Sequence, residues 1–247
     1  MTPLLMAILF AIMVATAFLS GIFGMAGGLI LMGVLLALLP VPAAMMLHGV
    51  TQMASNGWRA FLWRDHIVWK PVGFYMTGCA AALALWSLVN FVPTRPMALL
   101  FLGLSPFAVR LLPASLKPDP GKLLHGTIFG GACTSLMLLT GVSGPLLDTY
   151  FLGGAMDRRQ LVATKATCQV LGHAIKLVYF GGIITAAASL DPILAALGVT
   201  ASMIGTSLAR KILEAMSDRQ FRTWANRIIM VIATYYVGHA AWLFATS

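Results

Sequence analysis

The sequence predicts an all-α polytopic membrane protein made of two inverted repeats, each a glycine-broken helical hairpin plus three transmembrane helices, roughly 8 to 10 membrane segments in all. Three observations carry that expectation. First, 60% of the 247 residues are apolar and 9% are charged, where a soluble domain carries about 25% charge. Second, the apolar runs are long and continuous, without the alternation of a membrane strand. Third, Gln52, Asn56 and Arg59 recur as Gln169, His173 and Lys176, at an offset of 169 − 52 = 117. Each set has the spacing i, i+4, i+7, which is one face of a helix. The same offset carries Gly24 to Gly141 and Gly27 to Gly144. Two motifs repeating at one spacing mark an internal duplication.

In chain order, the run from Thr2 to Leu19 is expected to be a span and not a cleaved leader, because no basic residue precedes it and its counterpart, Lys122 to Thr140, is internal. Gly21 to Gly28 is too rich in glycine to continue as regular helix without cost, so a break is expected there. Leu29 to Leu39, 11 residues, falls short of the roughly 20 that cross a bilayer and is expected to re-enter and return. Pro40 and Pro42 mark a turn before the helix Ala43 to Trp63, which carries the first polar row. Spans at Pro71 to Val92 and Met97 to Leu112 complete the first repeat, residues 1–112. The polar, proline-rich stretch 113–121 is the linker, and residues 122–247 form the second repeat. There the break is Gly141 to Pro145, a short apolar piece reaches Leu152, and helices follow at Gln160 to Phe180, Pro192 to Leu213 and Phe221 to Ala245.

Basic residues set the orientation. Placing the loops 64–70, 113–122, 153–159 and 210–222 in the cytoplasm collects most Lys and Arg there. The net charge of +9 is thus explained by topology, and no nucleic-acid partner is expected. Both termini then lie on the periplasmic side, and the two polar helices run in opposite directions. Cys79, Cys133 and Cys168 all fall in apolar stretches with no CxxC spacing, and read as small buried residues.

A cation inside an apolar helix needs a partner or a watery cavity, so Arg59 and Lys176 are candidate binding groups, with Gln52, Asn56, Gln169 and His173 as neutral donors beside them. The backbone around Gly24, Gly27, Gly28, Gly141, Ser143 and Gly144 would add amide groups freed at the breaks, with the following half-helices starting near Leu29 and Leu146. Donors outnumber acids, so the guest is expected to be a small anion. Lys165 and Thr164 are further candidates on the second polar helix, while His48 and His125 read as packing histidines. Asp148 is the one acid in either broken segment, and the matching first-half position is Leu31. A salt bridge to Arg158 or Arg159 is expected for it, with proton coupling as the alternative role.

At Ser20 to Gly28 (SGIFGMAGG), Gly141 to Gly154 (GVSGPLLDTYFLGG) and Ala163 to Gly181 (ATKATCQVLGHAIKLVYFG) the chain resembles the TauE/SafE-type sulfite exporter family, also called the TSUP family of membrane anion transporters. The resemblance runs over nearly the whole length. It implies export or exchange of small sulfur-containing or organic anions, such as sulfite, sulfoacetate or related oxyanions, across a bacterial inner membrane. The implied partners are that anion and the lipid bilayer, with a homodimer as a further option.

The leading expectation is a secondary transporter with alternating access around a midplane anion site. A passive channel is one alternative; a membrane-embedded thiol enzyme using Cys168 is another, and nothing in the sequence favours it. The chain has no HExxH zinc motif, no GxSxG turn and no P-loop. No catalytic residue, metal or cofactor is therefore expected.

Overall fold

Helices in this chain end where Pro, Gly or a side chain able to cap the backbone interrupts the apolar pattern. The computed structural model describes residues 3–23, 26–113, 115–116, 118–151, 156–183 and 190–246, and they form helices without strands. In order these are α1 (Pro3–Phe23), α2 (Ala26–Leu38), α3 (Val41–Leu62), α4 (Trp69–Val89), α5 (Arg95–Arg110), α6 (Leu123–Thr140), α7 (Gly144–Tyr150), α8 (Arg158–Val178), α9 (Pro192–Ala215) and α10 (Asp218–Thr246). A 3-10 turn, Arg64–His66, precedes α4, and a π-helical stretch, Tyr179–Ile183, extends α8. Among the described residues, five helices are long and apolar enough to cross a membrane: α1, α4, α6, Pro192–Ala209 of α9 and Thr223–Thr246 of α10.

Local chemistry explains the boundaries. Asp157 caps α8, its Oδ1 accepting from the amides of Arg159 and Gln160 at 2.8 and 2.9 Å while Gln160 Oε1 accepts from the Asp157 amide at 3.2 Å. This reciprocal cap starts α8 two residues before the expected Gln160. Thr94 caps α5, and Asp191 Oδ1 accepts from the Ile193 amide at the start of α9. In the linker, the Asp119 amide donates to His125 Nδ1 at 2.8 Å, so this histidine ties the linker to α6.

The first break is narrower than the sequence suggested. Helix α1 continues through Phe23 and α2 begins at Ala26, so Gly27 and Gly28 are helical; Gly24 lies outside the described residues. The glycines there serve close approach. A Cβ at Gly27 would fall on the Thr16 carbonyl of α1 and sit 2.6 Å from the Ser20 amide nitrogen. The second break does form where expected. Gly141 ends α6 with φ 82°, its amide donating to the Met137 carbonyl at 2.8 Å. Gly141→Ala should lower stability by about 1–2 kcal/mol from the left-handed backbone alone. A Cβ there would also press on the Met32 sulfur and lie 3.1 Å from that of Met45. A thermal melt of the purified variant measures the loss, and an unchanged melt would show that this turn relaxes freely.

The most extensive helix pairings all join the first half of the chain to the second: α4 with α6, α1 with α9, α3 with α8 and α5 with α10. Contacts along each pair give its direction. Gly49 meets Lys176 and Leu177 while Gly57 meets Val170, so α3 and α8 run antiparallel. Gly103 meets Ala233 and Val237 while Arg110 bonds Asn226, so α5 and α10 do too. In contrast, α1 and α9 run parallel, with Gly205 against Val14 and Gly21 against Ala209; so do α4 and α6, with Gly126 against Phe74 and Trp86 bonded to Ser135. Two apolar clusters fill the interior. One gathers α1, α2, α3, α5 and α10 around Leu35, Met45 and Tyr236. The other packs Tyr75, Cys79, Cys133, Cys168 and Tyr150 between α4, α6, α7 and α8.

Candidate functional site

The polar rows of α3 and α8 face one another across their antiparallel contact and enclose a pocket in the interior. Gln52, Asn56 and Arg59 line it from α3, and Gln169 and His173 from α8. Ser20 of α1, Gly28 of α2, Ser143 and Gly144 close its ends, and Met137 and Val142 supply apolar wall. The first turn of α2 and the break at 141–144 therefore both reach the polar rows.

His48, expected to be a packing histidine, also lines the pocket, as does Lys165, a further candidate on the second polar helix. The signal was present, since 48 + 117 = 165 makes them counterparts under the duplication offset. The offset also pairs Ser20 with Met137, Gln52 with Gln169 and Asn56 with His173, all on the wall. The pocket is thus lined in matched positions by both halves.

Arg59 is half-buried; its Nη2 donates to the Ser20 carbonyl at 3.2 Å and its Nη1 to Asn56 Oδ1 at 3.4 Å. Asn56 in turn donates to the Gln52 carbonyl at 2.9 Å, so its amide is committed to the protein. The side-chain amides of Gln52 and Gln169 make no hydrogen bond among the described residues. Ser143 Oγ and His173 Nδ1 are buried without a partner among the described residues. Unpaired buried polar atoms cost about 1–3 kcal/mol each, so a concentration of them around one space calls for a polar guest.

Lys176 is fully buried and stands behind the pocket wall. Its ammonium donates to His48 Nδ1 at 2.9 Å and to the Gly141 carbonyl at 3.0 Å. His48 Nε2 lies 3.0 Å from the Gly28 carbonyl. Asp148 pairs with Lys165 of α8, its side chain 40% exposed against 19% for the lysine. The expected partners differ: Arg159 instead lies 5.8 Å from the Trp63 ring centroid, and the Arg158 side chain is outside the described residues. The shift has a simple cause, because α7 packs on α8 and so brings Asp148 alongside that helix and not beside its N-terminal arginines. Thr164 is also away from the pocket; its Oγ1 accepts from the Val68 amide at 2.9 Å and holds the α3–α4 connection.

Counting the ionic groups in and immediately around the pocket, Arg59, Lys165 and Lys176 against Asp148 leave a formal excess of 3 − 1 = 2 positive charges. Neither Arg59 nor Lys176 has a carboxylate partner among the described residues. Cys168 is wholly buried in the second apolar cluster and does not line the pocket.

The chamber is thus cationic, rich in donors and enclosed within a helical bundle. The model of the family described as Sulfite exporter TauE/SafE matches residues 8–236. The chain belongs to that family. Membership identifies a multi-pass membrane protein and a transporter of anions, in agreement with the charge of the chamber. No curated protein and no solved structure matches the chain.

Proposed function

We propose that this TauE/SafE-family protein is a secondary transporter that exports a small sulfur oxyanion, sulfite or a sulfonate such as sulfoacetate, across a bacterial inner membrane. The observation that carries the reading is the chamber between α3 and α8, where positive charge exceeds negative and two buried polar atoms, Ser143 Oγ and His173 Nδ1, lack partners among the described residues. An oxyanion entering it accepts from the free N–H groups of Arg59 and from Gln52, Gln169, Ser143 and His173. Charge-assisted bonds to an oxyanion are roughly twice as strong as neutral ones, and the planar guanidinium suits its geometry. Lys176 adds positive potential from behind.

Inverted repeats explain how such a site is exposed to each side in turn. A two-fold axis in the membrane plane turns each helix end over end, so a helix paired with its own counterpart must be antiparallel to it. The α3/α8 and α5/α10 pairs are antiparallel. The same axis exchanges α1/α9 with α6/α4, which must share one relative direction, and both are parallel. An axis along the membrane normal would make the self-pairs parallel. Rocking one half against the other about a site near this axis then alternates access.

Thermal melts of the purified protein against sulfite, thiosulfate, alkyl sulfonates and carboxylates test the site. A specific anion at 100 times its Kd should stabilise the protein by about 2.7 kcal/mol. Counterflow of labelled sulfite into proteoliposomes loaded with unlabelled sulfite separates a carrier from a pore, since a pore accumulates no label. Unchanged melts with every anion, together with absent counterflow, would end the proposal.

A further inference from the structure

We infer that Lys176 and His48 form a strap that positions the anion site and that neither donates a hydrogen bond to the anion, His48 facing the pocket with both ring nitrogens committed to the protein; the inference rests on the anion-site reading above. The direction of every bond follows from the chemistry of its ends. The Gly28 carbonyl can only accept, so the His48 Nε2 at 3.0 Å carries the proton. In the neutral ring Nδ1 is then an acceptor, and it takes a proton from the Lys176 ammonium at 2.9 Å. A second ammonium proton goes to the Gly141 carbonyl at 3.0 Å. One unbroken chain of donors therefore joins α8 to α3, to the first turn of α2, and to the left-handed turn after α6.

Both ends of this strap lie next to residues that face the pocket. A Cβ on Gly28 would be 3.3 Å from Gln52 Oε1, so a shift of Gly28 is felt at that amide. Ser143, with its unpartnered hydroxyl, is two residues beyond Gly141. The His48 ring also stands 5.6 Å from that of His173, centroid to centroid, and backs it. Lys176 does not line the pocket, and two of its three ammonium protons are committed to His48 Nδ1 and the Gly141 carbonyl; moving Nζ to the guest would take the donor from both buried acceptors, and an anion brings none in return. Its stem is held as well: Gly49 leaves the gap through which it passes, a Cβ there falling 3.3 Å from Lys176 Cε.

The test is a set of variants assayed for sulfite uptake in proteoliposomes. His48→Leu and Lys176→Met should each raise KM about tenfold, and the double variant should be no worse than the poorer single, because both cut one strap. Arg59→Met should multiply with either. His48→Gln keeps one acceptor and one donor and should stay within about threefold of the wild type. A wild-type KM in His48→Leu beside a lost one in Lys176→Met would overturn the inference, since a freed lysine would then be binding the anion itself. A folded His48→Gln as impaired as His48→Leu would overturn it too, which keeps the test usable should the leucine variant misfold. A readout without substrate separates the strap from the transport reading. In protein labelled with 15N at histidine, His48 should show the Nε2–H tautomer, with an Nδ1 resonance that moves in Lys176→Met. If that resonance does not move, the strap is refuted whatever sulfite does; if it moves while the wild type transports no sulfite, the transport reading alone fails.

Discussion

Sulfite counterflow is expected to fall roughly ten- to hundred-fold in Arg59→Met, because hydrogen bonds between a charged group and its ligand contribute about 1.5–3 kcal/mol. The effect should appear mainly as a raised KM. Arg59 lines the pocket, spends two N–H groups on the Ser20 carbonyl and Asn56 Oδ1, and has no carboxylate partner among the described residues. Its remaining donors are the strongest the guest can find. Met keeps much of the apolar stem without its charge, and the change leaves no carboxylate among the described residues without its partner. The melting temperature of the apoprotein should therefore hold while transport is lost. Arg59→Lys keeps the charge but not the planar fork, and should recover part of the activity. Wild-type KM and maximal rate in Arg59→Met would remove this residue from the site and leave the chamber without its principal anion ligand.

What could be read in the sequence, and what could not, follows from how far each feature depends on contacts between distant segments. Long apolar runs between Pro and Gly gave the helices because desolvation of the backbone dictates them locally. The duplication offset located both polar rows, and applying it to α3 predicts 158–179, against an observed α8 of Arg158–Val178. Gly27 and Gly28 misled because glycine composition signals either a break or a close approach. At Gly27 the cause is the Thr16 carbonyl of the neighbouring helix, which no local pattern reveals. Spacing alone placed Gln169, His173 and Lys176 on one face, yet the lysine stem is long enough to turn from the pocket to His48 and the Gly141 carbonyl. His48 was missed for the complementary reason. A lone histidine in an apolar helix has the sequence signature of a packing residue, and only its counterpart Lys165, with the wall they share, marks it as part of the site.

Gly78→Val is expected to be among the most destabilising single changes in the protein, through the crossing of α4 and α6. At Gly78 a Cβ would fall on the Thr127 carbonyl and lie 2.6 Å from the Gly131 amide nitrogen. Reciprocally, one at Gly130 would fall on the Tyr75 carbonyl, 3.1 Å from the Cys79 nitrogen. The obstructing atoms are backbone, so no rotamer change relieves the overlap and the two helices must move apart. In a bilayer, where lipid is as apolar as the helices, that close packing is itself the main attraction between them. Overpacking costs about 1–3 kcal/mol, and at about 2–4 °C per kcal/mol for a chain of this size the melt should shift visibly. Separation also reaches the chamber, because α6 ends at the Gly141 turn to which Lys176 is bonded. Anion affinity should then fall together with stability, whereas Arg59→Met lowers affinity alone. Gly73 and Gly238 meet nothing within 4 Å of a built Cβ and serve as controls, since Gly73→Ala and Gly238→Ala should melt with the wild type. A Gly78→Val protein that melts like those controls would mean that the α4–α6 crossing does not hold the bundle together.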